Sequence, residues 1–253
     1  MEKRKSVVKT STPSILSETI GGIGGMIGDQ LTVKNPMYCE ICGVSLGLLD
    51  KGSICHDCRK EIDIADYRRR NITKVLADTG VGKRYLSCAL ELFTGGAKYI
   101  DWCQKWLANP ADGIFFSGQY GCGKTHLAVA ICRELLLSAR LPSVLFVYSV
   151  DLLYSIRESF SSDGAGSIIN KHTSVDYLIL DDLGAEKSTE WAIETLSLII
   201  DRRDRNMLPT IVTSNLSLAD IEEKLSGRIA SRLANGKVVK IDMPDYRKQR
   251  KGK

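Results

Sequence analysis

The chain has 253 residues, of which 43% are apolar and 26% charged, enough for one substantial core and a small second module. Its formal net charge of +5 is small, but basic residues cluster at 68–70, at 202–205 and in the tail 247–253. Such clusters suit an anionic partner or a solvated surface. No apolar run approaches the roughly 18 residues of a membrane span, and no apolar segment follows the basic start. We therefore expect a soluble, cytoplasmic protein that does not contact a membrane.

The first segment, residues 1–35, combines Ser, Thr and Lys with a glycine-rich stretch at 21–28. Because glycine loses the most backbone entropy on ordering, this segment is predicted to be a flexible arm. A dinucleotide-binding turn is the alternative, but no strand precedes the glycines.

Two Cys-x-x-Cys pairs follow, separated by twelve residues: Cys39 and Cys42, then Cys55 and Cys58. This spacing suits tetrahedral Zn²⁺, whose binding would stabilise a segment too short to build a core. His56 is expected to be a bystander because four thiolates already complete the site. A redox pair is the alternative, although it does not need two matched pairs. We assign 36–75 to a zinc module with a linker helix over 61–75, and the other cysteines (Cys88, Cys103, Cys122, Cys132) to the core.

The remaining chain, 76–253, alternates apolar runs with helical patterns. The pattern predicts strands at 113–117, 143–149, 176–180, 209–214 and 237–241, and helices at 85–93, 97–107, 123–139, 150–160, 188–205 and 217–233, with a Ser/Gly loop at 161–167. Unbroken apolar strands joined by helices indicate a sheet that is covered on both faces. The prediction is an α/β fold with a parallel five-stranded sheet between helices.

The sequence GQYGCGKT at 118–125 directly follows the first strand of that pattern. Gly118 and Gly123 let backbone N–H groups approach a phosphate, Lys124 supplies a charge between the β- and γ-phosphates, and the Thr125 hydroxyl can ligate Mg²⁺. The helix that follows directs its positive end at the same phosphates. The segment therefore predicts a site for ATP and Mg²⁺. A glycine-rich stretch at 80–83 has neither a preceding strand nor a following Ser or Thr, and is not expected to bind phosphate.

Polar residues also follow the third and fourth predicted strands. Asp181 is placed to hold Mg²⁺, Asp182 to orient the attacking water, and Asn215 to sense the γ-phosphate. The alternative for each is that its side chain caps the next helix.

Four segments in this order carry a resemblance to a known family. They are GQYGCGKT at 118–125, LILDDLG at 178–184, PTIVTSN at 209–215 and GRIASRL at 227–233. The series resembles the DnaC/IstB group of AAA+ ATPases over about 76–247, and GVGKRY at 80–85 is similar to the start of that group's ATPase domain. Little sequence follows the last strand, so no full C-terminal helical lid is expected.

The resemblance implies a role for each matching position. It makes Asp182, Asn215 (sensor 1) and Arg232 (arginine finger) the catalytic residues. The alternative for both Arg232 and Arg228 is an arginine on the solvated surface. It implies nucleotide contacts from Gly118, Gly121, Cys122, Gly123, Lys124, Thr125, His126, Asp181, Arg228 and Arg247. Among these, Arg228 is the rival finger and Arg247 lies at the sensor-2 position.

By the same resemblance, the expected function is an ATP-dependent helicase loader that binds single-stranded DNA and delivers a replicative helicase. We expect a homo-oligomer, hexamer-like or helical, with the DNA near 154–160 and Lys171 and the helicase at the zinc module. An IstB-like helper of a DNA transposase is the alternative. A small-molecule P-loop kinase and a zinc protein with a decayed ATP site are less favoured, because no acceptor pocket or basic lid is found and because Lys124, Thr125 and Asp181 are intact.

Overall fold

The computed structural model describes residues 38–44, 54–162 and 164–249. The arm predicted at 1–35 therefore lies outside the described residues, and so does the side chain of Arg247. Among the helices within these ranges, none combines the length and hydropathy needed to cross a bilayer.

Five parallel strands form one sheet in the order β2-β3-β4-β1-β5. The strands are β1 (Ile114–Ser117), β2 (Val144–Tyr148), β3 (Tyr177–Leu183), β4 (Thr210–Ser214) and β5 (Lys237–Lys240). The predicted parallel five-stranded α/β sheet is confirmed. Because the strands are parallel, the polar residues at their carboxyl ends meet along one edge.

Helices cover both faces of this sheet. They are α1 (His56–Arg70), α2 (Ile72–Asp78), α3 (Ala97–Ala108), α4 (Lys124–Leu137), α5 (Ser149–Glu158), α6 (Ala165–Ser174), α7 (Glu190–Arg205), α8 (Leu218–Lys224), α9 (Gly227–Ala234) and α10 (Tyr246–Gln249). Adjacent residues of β1 show the two-sided burial, since Phe116 packs in a core with α3 and α4 while Phe115 packs in another with α5, α7 and α9. The four cysteines predicted to lie in the core are buried, as expected.

Three predicted elements were wrong. The segment 85–93 is not a helix but contains two short 3-10 turns, Lys83–Tyr85 and Leu90–Leu92, because Leu90 and Phe93 are drawn into the core beside α4. The loop predicted at 161–167 extends too far, since α6 begins at Ala165 and packs its isoleucines on the second core. The single helix predicted at 217–233 is two helices, because Ser226 caps α9 with a hydrogen bond from the Ile229 amide.

The helix that joins the cysteine segment to the sheet begins earlier than its predicted start at residue 61. The first residue of α1 is His56, and the Cys55 sulfur accepts a hydrogen bond from the amide of Cys58 as the N-cap. Near the other end of α1, the Arg68 guanidinium donates to the carbonyls of Leu136 and Pro142, each at 3.3 Å. The helix therefore links the four cysteines to the C-terminal end of α4.

Candidate nucleotide site and metal centre

The glycine-rich turn at 118–125 has the backbone conformation that its glycines allow. Gly118 and Gly123 have φ values of 154° and 101°, in the region that side chains disfavour. A Cβ at Gly118 would collide with the Ile241 carbonyl, and one at Gly123 would meet the Phe93 ring. The turn leads from β1 directly into α4, so the amides at the start of that helix face the space above the sheet edge.

Lys124 is the first residue of α4, directly after the glycines of the turn, and is 5% exposed. Its Nζ donates to the carbonyls of Gly118 and Gln119, each at 2.9 Å, and to Oδ1 of Asn215 at 2.7 Å. The sequence predicted that Lys124 and Asn215 would serve the same phosphate, and the structure brings them into direct contact. The ammonium charge is thus held between the turn and the end of β4.

Asp181 is buried at the end of β3, with 1% exposure. Its Oδ1 accepts from the Thr125 hydroxyl at 3.0 Å and from the Thr213 hydroxyl at 2.6 Å. Burial raises the pKa of Asp181 to about 6, although both hydroxyls favour the charged form. Mg²⁺ prefers oxygen ligands at about 2.0–2.1 Å, and the Thr125 hydroxyl with the Asp181 carboxylate supplies such ligands beside the turn. These residues therefore fit a magnesium ion.

Asp182 lies on a β-bulge. Leu180 pairs with Val212 and Leu183 with Ser214, so both aspartates oppose the single residue Thr213. Asp182 has a φ of 57°, and its amide donates to the Thr213 hydroxyl at 3.0 Å. Bulges beside active sites re-aim side chains, and here the bulge turns Asp181 inward and leaves Asp182 half-buried. Thr213 was missed as a site residue, although its place directly before Ser214 and Asn215 on the adjacent strand was a usable signal.

Ser149 and Glu186 were also missed. The Ser149 hydroxyl lies 2.9 Å from the Asp182 carbonyl and 2.7 Å from the Glu186 carboxylate. The same carboxylate accepts from the Gly184 amide at 3.1 Å. These contacts hold the chain just after the bulge. No pattern in the sequence signalled them, because they join the start of α5 to the loop after β3.

The capping alternatives for the acidic pair and for Asn215 are wrong. Thr189, not Asp181 or Asp182, caps α7 with a hydrogen bond from the Ala192 amide. Ser217, not Asn215, caps α8. Helix capping therefore does not use the polar side chains at the carboxyl ends of β3 and β4, so capping does not prevent them from contacting a ligand.

The other residues expected at the nucleotide lie around the turn. Cys122 is buried in the core, and Nε2 of His126 lies 2.9 Å from the Ala89 carbonyl, with its ring tilted against that of Phe93 at a centroid distance of 5.4 Å. The Gly121 carbonyl accepts from the Tyr246 amide at 3.1 Å. The turn is thus supported by the segment before β1 and by the start of α10.

The two candidate finger arginines lie on α9, and both contact Asp201 of α7. The Arg228 guanidinium donates to Asp201 at 2.7 Å, and Nε of Arg232 donates to the same carboxylate at 3.2 Å. Arg232 also lines a cavity with Asp112 and Thr210, at the amino ends of β1 and β4. The glycine-rich turn follows the carboxyl end of β1. The structure therefore does not bring Arg232 to the nucleotide site of its own chain.

The four cysteines of the two pairs converge on one point. Their sulfur atoms all lie within 4.8 Å of one another, and Sγ of Cys42 is 3.6 Å from Sγ of Cys55. Tetrahedral Zn–S bonds of about 2.3 Å require sulfurs roughly 3.8 Å apart, so the set fits Zn²⁺. The Cys55 amide donates to Sγ of Cys39 at 3.3 Å and lowers the pKa of Cys39 to about 6, whereas hydrogen bonds between the thiols and burial raise the pKa of Cys58. The His56 side chain is 85% exposed, away from this cluster.

A profile of the IstB-like ATP binding protein family matches residues 103–253. The chain belongs to this family. The matched region contains the glycine-rich turn, the acidic pair, Asn215 and both α9 arginines, and this region is an ATP-binding AAA+ domain with a P-loop.

Known relatives of this IstB-like domain include helicase loaders. The replicative helicase loader DnaC of Escherichia coli strain K12 is 32% identical over 144 residues, which are 55% of this chain and 58% of the relative. A crystal structure of the DnaC helicase loader aligns with a TM-score of 0.58 at 26% identity, covering 64% of this chain and 100% of that one. A crystal structure of DnaI aligns at 0.54 and 27%, covering 65% and 93%. This chain thus spans a little over half the length of that curated relative, 58%.

Proposed function

We propose that the chain is a cytoplasmic, ATP-dependent helicase loader that binds single-stranded DNA and delivers a replicative DNA helicase. The observation that carries the proposal is the connected cluster of Lys124, Asn215, Thr125, Asp181 and Thr213 in a domain similar to DnaC. A γ-phosphate entering this cluster would compete with Asn215 for the Lys124 ammonium. ATP binding would thereby be sensed at the end of β4.

Each residue of the cluster has a separate role in ATP hydrolysis. The turn amides and Lys124 bind the β- and γ-phosphates, and Thr125 with Asp181 holds Mg²⁺, which neutralises phosphate charge when bound. Asp182, aimed by the bulge, orients the attacking water. An aspartate is shorter than the usual glutamate, so hydrolysis is expected to be slow without a partner or DNA.

A neighbouring copy completes the site. Arg232 lies away from the chain's own turn, so we propose that it acts on the γ-phosphate bound by the next subunit of a hexamer-like or helical homo-oligomer. ATP binding would then favour assembly of the oligomer, and ATP hydrolysis would release the partner. Arg228 is the rival for this role.

Single-stranded DNA is assigned to the surface formed by α5 and the start of α7. Tyr154 and Phe160 are 62% and 56% exposed. Phe160 packs edge-on against Trp191, with ring centroids 6.1 Å apart, and Arg157 lies over the Trp191 ring at 4.6 Å. Exposed aromatic faces beside a cation suit stacked bases and a phosphate backbone. Lys171 on α6 is exposed and could extend the basic surface.

We assign to the zinc module the contact with the protein partner, the replicative helicase. Tyr38, Ile41 and Val44, which flank the first cysteine pair, are each more than half exposed. Apolar side chains fixed on a small metal-bound loop suit a protein contact better than a phosphate backbone.

The second candidate function is an ATP-dependent helper of a DNA transposase, which the IstB-like family profile favours. Affinity capture from the source cell with the full chain and ATP distinguishes the two, with Lys124→Ala as the control. Recovery of a hexameric helicase that depends on ATP supports the loader, and recovery of a transposase supports the helper. ATP hydrolysis that single-stranded DNA does not stimulate would contradict both.

A further inference from the structure

Asp201 is an almost buried carboxylate surrounded by arginines. Its side chain is 6% exposed, and ion pairs reach it from Arg205 at 3.4 Å, Arg228 at 2.7 Å and Arg232 at 3.2 Å. The hydrogen bonds from Arg228 and Arg232 lower the pKa of Asp201, which keeps it charged. One carboxylate therefore holds both finger candidates, although it touches nothing in the nucleotide site of its own chain.

The backbone around Asp201 is firmly held. Two residues further along α7, Arg203 is fully buried and donates to the carbonyls of Val175 and Pro209, each at 2.8 Å, and to the Thr210 hydroxyl at 2.9 Å. These bonds fix the end of α7 against the amino ends of β3 and β4. Asp201 is thus a fixed anchor for side chains that come from α9.

The two α9 arginines use this anchor differently. Arg228 donates through both Nε and a terminal nitrogen, so one whole edge of its guanidinium is occupied. Arg232 donates only through Nε, to Asp201, with a second contact from Nε to Asp204 at 3.3 Å. Neither terminal nitrogen of Arg232 donates to any residue within the described ranges. Arg232 is therefore held through its Nε, and its side chain is 35% exposed.

We propose that Asp201 is the positioning residue of the Arg232 finger: it fixes the guanidinium so that the two terminal nitrogens meet a γ-phosphate bound by the adjacent subunit. This inference rests on the proposed function, in which Arg232 acts in trans. It also distinguishes the two candidates, because bidentate phosphate binding needs the free edge that Arg232 retains. Arg228 completes the charge balance around Asp201.

Asp201→Asn is the first test, because it keeps the side-chain shape and removes the charge. We expect ATP affinity to stay within about twofold of wild type, while kcat for hydrolysis falls at least about tenfold, toward the value of Arg232→Ala. Asp201→Glu should recover part of kcat. Glu194→Gln, an exposed carboxylate on the same helix, is the matched control and should leave kcat unchanged. Thermal melting shows whether Asp201→Asn folds. If it does not, Asp204→Asn serves instead, because Asp204 also contacts Arg232, and it should lower kcat by a smaller factor than that expected for Asp201→Asn.

Mixed oligomers separate a positioning role from a merely structural one. Asp182→Asn subunits cannot hydrolyse but present an intact finger, so mixing them with Asp201→Asn should restore turnover. Mixing Asp201→Asn with Arg232→Ala should restore none, because both lack a working finger. The role of Asp201 would be overturned by a wild-type kcat in Asp201→Asn, or by a loss of turnover that mixing with Asp182→Asn subunits does not restore. Either result would leave the role of Arg232 as the finger standing. Wild-type kcat in Arg232→Ala would overturn the finger, and the inference with it.

Discussion

Replacing Lys124 by alanine should abolish ATP binding. The substitution removes a buried ammonium that bridges the turn and Asn215, and charge-assisted hydrogen bonds of this kind contribute about 1.5–3 kcal/mol each. We expect at least a hundredfold weaker binding of a fluorescent ATP analogue, with unchanged zinc content. Lys83→Ala, in the glycine-rich stretch that lacks a following Ser or Thr, is the control and should bind normally. Retained affinity in Lys124→Ala would refute the site.

Arg203→Met should destabilise the fold strongly. It leaves the carbonyls of His172 and Val175 without this donor and leaves the Pro209 carbonyl with only the 3.4 Å bond from the Leu178 amide, and unsatisfied buried groups cost about 1–3 kcal/mol each. We expect a loss of at least about 3 kcal/mol in urea unfolding. Arg202→Met removes one 3.4 Å hydrogen bond to Asn170 and should cost less than about 0.5 kcal/mol. Equal losses in the two variants would contradict a special role for Arg203.

At the scale of elements, the strands were predicted well and the irregular segments were not. Apolar runs give the strands of a two-sided sheet directly, since every residue of β1 is buried. The segment 85–93 has helical spacing, but tertiary packing of Leu90 and Phe93 overrides that local preference. The bulge at Asp182 arises from pairing with β4, so the sequence of β3 alone could not reveal it.

The contact between α1 and α4 gives a testable link between two elements. Arg68 donates to the Leu136 carbonyl, at the C-terminal end of α4 where no helical partner is present, and to the Pro142 carbonyl in the loop before β2. Arg68→Ala should lower stability by about 1–2 kcal/mol and speed hydrogen exchange of the α1 amides. Arg69→Ala, which removes an exposed pair with Asp66, is the control and should change exchange little. Unchanged exchange in Arg68→Ala would show that other contacts hold α1.

At the scale of the whole molecule, the chain joins two units that are stabilised differently. The ATPase domain has extensive apolar cores on both faces of its sheet, whereas the described apolar cluster of the cysteine segment consists of Cys39 and Cys58 with Ile54 and Cys55 beside them. The spacing of the cysteines was sufficient to predict the four-cysteine cluster, and motif spacing with strand order was sufficient to place Lys124 near Asp181. Long-range partners, such as Asp201 for Arg232, have no local signal in the sequence. The proposed completion of the ATP site by a second copy would be a property of an assembly, and one sequence indicates it only through resemblance.

Loss of zinc should therefore unfold one unit and spare the other. Cys42→Ser, or a chelator, removes the ligation that takes the place of a core, so residues 38–44 and 54–58 should become sensitive to protease and partner capture should fail. ATP binding should persist, because the Lys124 and Asp181 contacts arise within the sheet domain. Cys88→Ala, a buried cysteine outside the cluster, is the control and should retain one zinc per chain. A zinc-free protein with intact partner capture would refute a structural zinc, and loss of ATP binding together with zinc would show that α1 couples the two units.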